Sequence, residues 1–281
     1  MANIGEAFLG WVDAADARGV CPAIRCLHLP TVAAGASRDA EFCALELEDG
    51  SVGFSFALLG HTLAGLAETA ACADLAGRRA AEIAGWYAEA GEARRAIGLA
   101  AINAITQSVY RQAGFRADMA SDSIGLVDPR PGDHIGMIGL FRPLVERILA
   151  SGARLTVAEL KPEMAHETAN FRVTLDPADL APCGKVISTS TLLLNDTLDE
   201  VLQACRNAAY FGIIGPSAGC MPDPLFARGV DTLGGMSVVD LDGFRDAFRS
   251  GQPWGRFSRK TCIRRGDYPG FAALLDLARP A

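Results

Sequence analysis

Apolar and polar positions follow two rhythms along this chain. Over residues 42–48 and 51–56 they alternate, and Asp49-Gly50 lies between the two runs. That pattern predicts a β-hairpin, because Asp and Gly tolerate the positive φ that tight hairpin turns require. Two stretches with helical spacing follow. Ala80, Ile83, Ala84 and Tyr87 form one stripe, and Ile102, Ile105 and Val109 form another, with Gly98 on the same face leaving room for close packing. A hairpin followed by two helices predicts a small α+β domain.

Beyond about residue 131 the rhythm changes. Short apolar runs at 134–139, 154–159, 185–189, 210–215 and 236–240 predict strands, and 143–150, 199–208 and 242–249 predict helices. Strand and helix in alternation are the signature of a parallel sheet with crossover helices. The two textures meet in a linker over 115–133, where Asp128-Pro-Arg-Pro-Gly-Asp133 can continue neither a helix nor a sheet ladder. The expected organisation is an N-terminal α+β domain over 1–120 and a Rossmann-like domain with a parallel sheet over 121–281. Proteolysis is expected to cut first within the linker.

Composition narrows the function. The chain has 281 residues, is 50% hydrophobic and 21% charged, and carries a net charge of -7. Such a chain is globular and long enough for two domains. The acidic balance argues against nucleic acid, since neutralising phosphates needs a basic face. Its nearest approach is the short group Arg256, Arg259, Lys260, Arg264 and Arg265. No apolar stretch reaches the roughly 20 residues of a membrane span. The N-terminus lacks the basic start of a signal peptide, so the eight cysteines are expected reduced, in the cytoplasm. Cys21 and Cys26 form a lone Cys-x4-Cys pair, a weak zinc signal that packed thiols also satisfy.

Three segments carry candidate chemistry at the carboxyl ends of the expected strands, where open α/β sheets bind ligands. In the first, Gly136 and Gly139 precede Phe141 and the next helix, and glycines there let backbone N–H groups approach an anion. Glu159, twenty residues after Gly139, is placed to accept hydrogen bonds from a diol. In the second, Thr189, Ser190 and Thr191 follow a strand, with Asn195 as a helix cap or a ligand contact. In the third, Gly215, Pro216 and Ser217 form an open turn, followed by Cys220 and Met221, adjacent soft sulfur donors. A metal shell needs more than two ligands, and Cys183 or a histidine would complete it. Gly215-Pro-Ser-Ala-Gly219 matches GxSxG, but prolines follow at once and no histidine lies beyond His166, against a hydrolase. Asn103, near the middle of a helix that disfavours it, is a candidate contact from the other domain.

Taken in order, Gly136-Met-Ile-Gly-Leu-Phe-Arg-Pro-Leu-Val145, Ser188-Thr-Ser-Thr-Leu-Leu-Leu-Asn-Asp-Thr-Leu198, Gly215-Pro-Ser-Ala218 and Pro224-Leu-Phe-Ala-Arg-Gly-Val230 resemble a heavy-metal chelation family with a Rossmann-like fold. Ile97-Gly-Leu-Ala-Ala-Ile-Asn-Ala104 resembles its companion, which is similar to an enolase N-terminal domain. The resemblance implies a ligand site in the groove between domains and a link to heavy metals or their organic complexes. The chain departs from the family at Pro182-Cys-Gly184, where an acidic residue is usual, and at Cys220-Met221, where aliphatic residues are usual. Three readings stay open: binding of a transition metal or metal complex between domains, with Cys220, Met221 and Cys183 as metal ligands; an enzyme for a nucleotide-like or anionic small molecule; and a protein-interaction scaffold. Oligomerisation is open as well.

Overall fold

The computed structural model describes residues 3–30, 41–58, 61–119 and 127–279. Helix α1 (Ile4–Ala17) starts at Asn3, whose side chain accepts from the Glu6 amide while the Glu6 carboxylate accepts from the Asn3 amide. This reciprocal cap satisfies two amides that the helix itself leaves free. Strands β1 (Ile24–His28), β2 (Phe42–Leu47) and β3 (Val52–Phe56) then form an antiparallel sheet in that order. The expected hairpin is β2–β3, turned by Gly50 at φ +84°. Strand β1 and helix α1 were not expected.

Helices α2 (Thr62–Ala73), α3 (Ala80–Ala84) and α4 (Glu92–Gln112) complete the first unit. The stripe expected on α4 is only part of what is buried, because every residue from Ala96 to Thr106 is out of solvent. Sheet, helices and second unit surround this stretch, so it has no wet face. Close approach demands glycine twice. A Cβ on Gly53 would lie 2.2 Å from the Ala100 carbonyl oxygen, and one on Gly98 would lie 2.2 Å from the Tyr87 amide nitrogen.

The second unit contains β4 (His134–Ile138), α5 (Arg142–Ala150), β5 (Arg154–Ala158), β6 (His166–Glu167), β7 (Phe171–Thr174), β8 (Lys185–Thr189), α6 (Leu198–Ala204), β9 (Tyr210–Ile214), α7 (Asp223–Phe226), β10 (Thr232–Val238), α8 (Leu241–Ser250), β11 (Ser258–Arg264) and α9 (Phe271–Leu277). Its sheet runs β11-β10-β9-β8-β4-β5-β7-β6. All neighbours from β10 to β7 are parallel, and β11 and β6 are antiparallel edges. Strand order reverses between β4 and β8, the crevice where doubly wound sheets bind ligands. Strand β10 begins four residues before its expected start. Its Gly234-Gly235 lies before the expected run, and the sheet uses it for closeness: a Cβ on Gly235 would sit 3.0 Å from the Ala218 carbonyl oxygen.

The two units share their packing. Along β2, Cys43, Leu45 and Leu47 point into the core around α4, while Ala44 points the other way, into a cluster with Phe54, Phe244, Phe248 and Trp254. The period of two along a strand divides these neighbours. Phe54 stacks on Trp254 with ring centroids 4.5 Å apart, which ties β3 to the segment after α8. The expected 120/121 boundary lies outside the described residues. Phe115, at the start of the expected linker, packs edge-on against Tyr268 of the second unit. Among the described residues, no helix is long and apolar enough to cross a membrane.

Candidate metal centre

Strands β1 and β2 place three donors together. In their antiparallel register Cys26 faces Glu46 and His28 faces Ala44. Cys26 and His28, two residues apart, project from the same side of β1. That side lies beneath α8, where the His28 ring meets Phe244 edge-on and Phe248 at a tilt, both at 5.4 Å. Cys26 Sγ lies 3.3 Å from His28 Nε2 and 3.8 Å from Glu46 Oε2, and Nε2 lies 2.9 Å from Oε2. Among the described residues this is the one group of three or more Cys, His, Asp or Glu side chains with ligand atoms all within 4.8 Å of one another.

The geometry separates two chemistries. A Cys-His-acid nucleophile needs a relay, in which one ring nitrogen takes the thiol proton while the other donates to the acid. Here both neighbours meet the same nitrogen, Nε2. A nitrogen donating to the carboxylate cannot also accept from the thiol. Three donors converging on one point instead suit a cation, and a sulfur, nitrogen and oxygen set with a fourth position open is the pattern of zinc sites that exchange a ligand.

Charge is arranged around Glu46, whose side chain is wholly buried. Burial alone would raise its carboxyl pKa, but hydrogen bonds from Arg245 and His28 outweigh it and hold the group below the usual carboxylate range. Arg245 Nε lies 3.2 Å from both carboxylate oxygens, its Nη2 lies 2.5 Å from Oε1, and Arg25 Nε lies 3.4 Å from Oε1. The carboxylate is therefore divided. Oε1 takes most of the arginine contacts, and Oε2, which also meets Arg245 Nε, faces His28 and Cys26. Burial, and then the charge of Glu46, push the Cys26 thiol up to about 11. A metal must displace that proton. The donors open into a cavity of about 410 Å³ lined by Arg25, Cys26, His28, Glu46, Arg245 and Arg249, among others. The first four come from the β1–β2 sheet and the last two from α8, so the cavity lies between the units.

The strand-end candidates divide. Gly139, Glu159, Thr189, Thr191 and Asn195 line one pocket at the β4–β8 reversal. Gly139 has φ +79°, and a Cβ there would meet Thr189 at 3.2 Å. The polar groups are largely occupied. Glu159 accepts from the Leu140 and Leu160 amides, Thr189 Oγ1 from the Thr191 amide and hydroxyl, and Asn195 Oδ1 from Thr197. The pocket holds about 90 Å³, against roughly 300 Å³ or more for ordinary small-molecule sites. Phe141 lies just before α5, outside this lining. Gly136 is within β4 rather than a turn, packed toward Cys183 and Val186.

The remaining candidates join the units. Gly215 and Pro216 lead into a short turn, with Ser190 so near Gly215 that a Cβ would collide with its hydroxyl. Ser217 accepts from the Phe56 amide at 2.9 Å, and Asn103 Nδ2 donates to the Phe54 and Ser217 carbonyls at 2.7 and 3.0 Å. Asn103 and Ser217 are fully buried. The sulfur set does not assemble. Cys183 precedes β8, at the amino ends of the parallel strands, and Cys220 and Met221 follow β9, at the carboxyl ends. A strand of five residues separates the ends by about 17 Å. Cys220 and Met221 are buried under α4, where the Thr106 hydroxyl points at the Met221 sulfur from 3.9 Å.

Sequence reasoning missed Cys26, His28 and Glu46 as a group. A signal was available: Cys-x-His spacing puts both side chains on one face of a strand, and an acid lay in the neighbouring alternating run.

A family model described as "Putative heavy-metal chelation" matches residues 122–265, and a second with the same description matches 40–106. The chain belongs to this heavy-metal chelation family. An uncharacterized protein of Methanocaldococcus jannaschii is 30% identical over 153 residues, which span 53% of this chain and 56% of that protein. The crystal structure of a family protein of unknown function from Desulfitobacterium hafniense matches with a TM-score of 0.66 and 20% identity, covering 94% of this chain and 99% of that one. One from Pyrococcus horikoshii matches with a TM-score of 0.65 and 17% identity, covering 93% and 98%. At these identities the crystal structures establish a common fold for the heavy-metal chelation proteins, and the family description is compatible with metal binding.

Proposed function

We propose that this chain binds a borderline-soft divalent metal of the zinc class in the cavity between its units, through Cys26 Sγ, His28 Nε2 and Glu46 Oε2. The observation that carries the reading is the convergence of these three ligand atoms on one side of the β1–β2 sheet. Arg245 keeps Oε1 and so orients the carboxylate from behind, as outer partners of metal ligands do. The family description supports the reading. Three protein ligands leave the ion a position for exchange, which fits carrying or sequestering metal better than locking a fold. The strand-end pocket, small and internally satisfied, supports a nucleotide-like ligand less well.

Calorimetric titration with zinc under reducing conditions tests this. One site per chain, lost in Cys26→Ser and in His28→Ala with the circular dichroism unchanged, is the expected result. Undiminished zinc binding in both variants would overturn it.

A further inference from the structure

We infer that the cavity beside Cys26, His28 and Glu46 takes its metal together with an anionic chelator, a small molecule that binds the ion through carboxylate-like groups. This rests on the proposed metal centre and adds the chemistry of its cargo. Three observations converge. The first is space. A water occupies about 30 Å³ of liquid, so about 410 Å³ is far more than a bare ion and its remaining waters require. The second is coordination. Three protein donors on one side of the ion leave its opposite side to whatever fills the cavity.

The third is charge. Arg25, Arg245 and Arg249 line the cavity against the single carboxylate of Glu46. Each arginine also has an outward partner: Glu48 at 2.6 Å from Arg25, Asp242 at 3.0 Å from Arg245, and Asp246 at 3.3 Å from Arg249. Those acids are half or more exposed and do not line the cavity. Exposed pairs of this kind are weak, so a guanidinium can turn to a better acceptor at little cost. When the metal takes Glu46 Oε2 and the Cys26 thiolate, both protein charges facing the ion are used; Arg245 stays on Glu46 Oε1, and Arg25 and Arg249 remain on the cavity lining. An anionic chelator fills that need, and arginine is the residue suited to grip carboxylates. A neutral amine chelator offers the guanidiniums no acceptor.

The test uses zinc held by one of two bidentate chelators, oxalate, which is a dianion, and ethylenediamine, which is neutral. Matched denticity makes the same demand on the metal, which reaches five positions with the three protein donors. Binding of each complex, at one chelator per zinc, is measured by titration for the full chain, for Arg249→Gln and for Cys26→Ser, with bare zinc in parallel. The parent chain is expected to bind the oxalate complex roughly tenfold better than the ethylenediamine complex, the sum of two exposed ionic contacts. Arg249→Gln is expected to cut that preference to about threefold while still binding bare zinc, and Cys26→Ser to lose both complexes. Equal or reversed preference in the parent chain, with bare zinc still bound, overturns the anionic cargo and leaves the metal centre standing. An undiminished preference in Arg249→Gln does the same. Failure of bare zinc and of both complexes to bind the parent chain removes the metal centre and the cargo together.

Discussion

Two regions of the molecule carry sulfur next to a strand end or edge. One is Cys26 on β1, and the other is Cys220-Met221 behind β9. Their thiols are alike in acidity, since burial pushes one up to about 11 and the other up to about 12. Their company differs. Cys26 has an imidazole nitrogen and a carboxylate oxygen within 4 Å and opens on a cavity, whereas Cys220 is buried in the core cluster around α4. Soft donor atoms alone therefore do not make a site. A site needs cross-strand register to bring unlike donors together, and a way in.

The largest effect that would break this comparison is on metal affinity. Cys26→Ser should weaken zinc binding by at least about a hundredfold, the upper end of what even an outer partner of a ligand costs. Cys220→Ser should leave zinc affinity unchanged and instead lower stability by about 1–3 kcal/mol, because it buries a hydroxyl in the apolar core cluster around α4. Urea denaturation and zinc titration of both variants give the four numbers. A zinc loss in Cys220→Ser and none in Cys26→Ser would reverse the assignment.

Next in size is Arg245→Gln, expected to cost about tenfold in zinc affinity by freeing Glu46 to turn. The same variant tests the acid side of stability. Because the carboxyl of Glu46 is held below its ordinary value of 4.5, its stabilising pair is present above that pH and is lost as pH falls through the lowered value. Arg245→Gln should therefore unfold with less dependence on pH in that acidic window, read from urea midpoints across it. An unchanged dependence would mean that the pair contributes nothing.

Proton competition is comparable in size. The Cys26 thiol, with its value near 11, is protonated at neutral pH, and the metal must displace that proton. Zinc affinity should rise about tenfold for each pH unit across the mildly alkaline range below that value. A flat profile would exclude the thiol from the ligand set. The smallest effect is expected at the strand-end pocket. Glu159→Gln should leave zinc affinity unchanged and alter stability by no more than about 1 kcal/mol, since an amide oxygen can still accept from one of the two backbone amides. A zinc effect there would move the metal to the strand ends.

Much of the architecture was legible. Strands β4, β5, β8 and β9 lie within a residue of the expected runs, because fully buried parallel strands are continuous apolar segments bounded by turns. The β2–β3 hairpin was legible through Asp49-Gly50. Five strand-end candidates do share a pocket, because topology alone sends those loops to one end of the sheet. Strand β1 was not legible. It is five residues long and only half-buried, so its alternation is faint. Asn103 was picked out for the right reason, an amide where a helix disfavours one, but its Nδ2 clasps the two units through the Phe54 and Ser217 carbonyls.

The sequence by itself determined the fold class, the five expected strands of the parallel sheet and the family, because hydrophobic period, turn residues and ordered motifs are local properties of the chain. Only the tertiary structure decided which sulfur has partners. Cys26 meets Glu46 through a register set across twenty residues of chain, and Arg245 reaches the same carboxylate from 199 residues away. Cys183 and Cys220 share a domain but lie at opposite ends of its strands. Proximity of this kind comes from strand pairing and from the docking of α8 on the sheet, and no local pattern of residues encodes it.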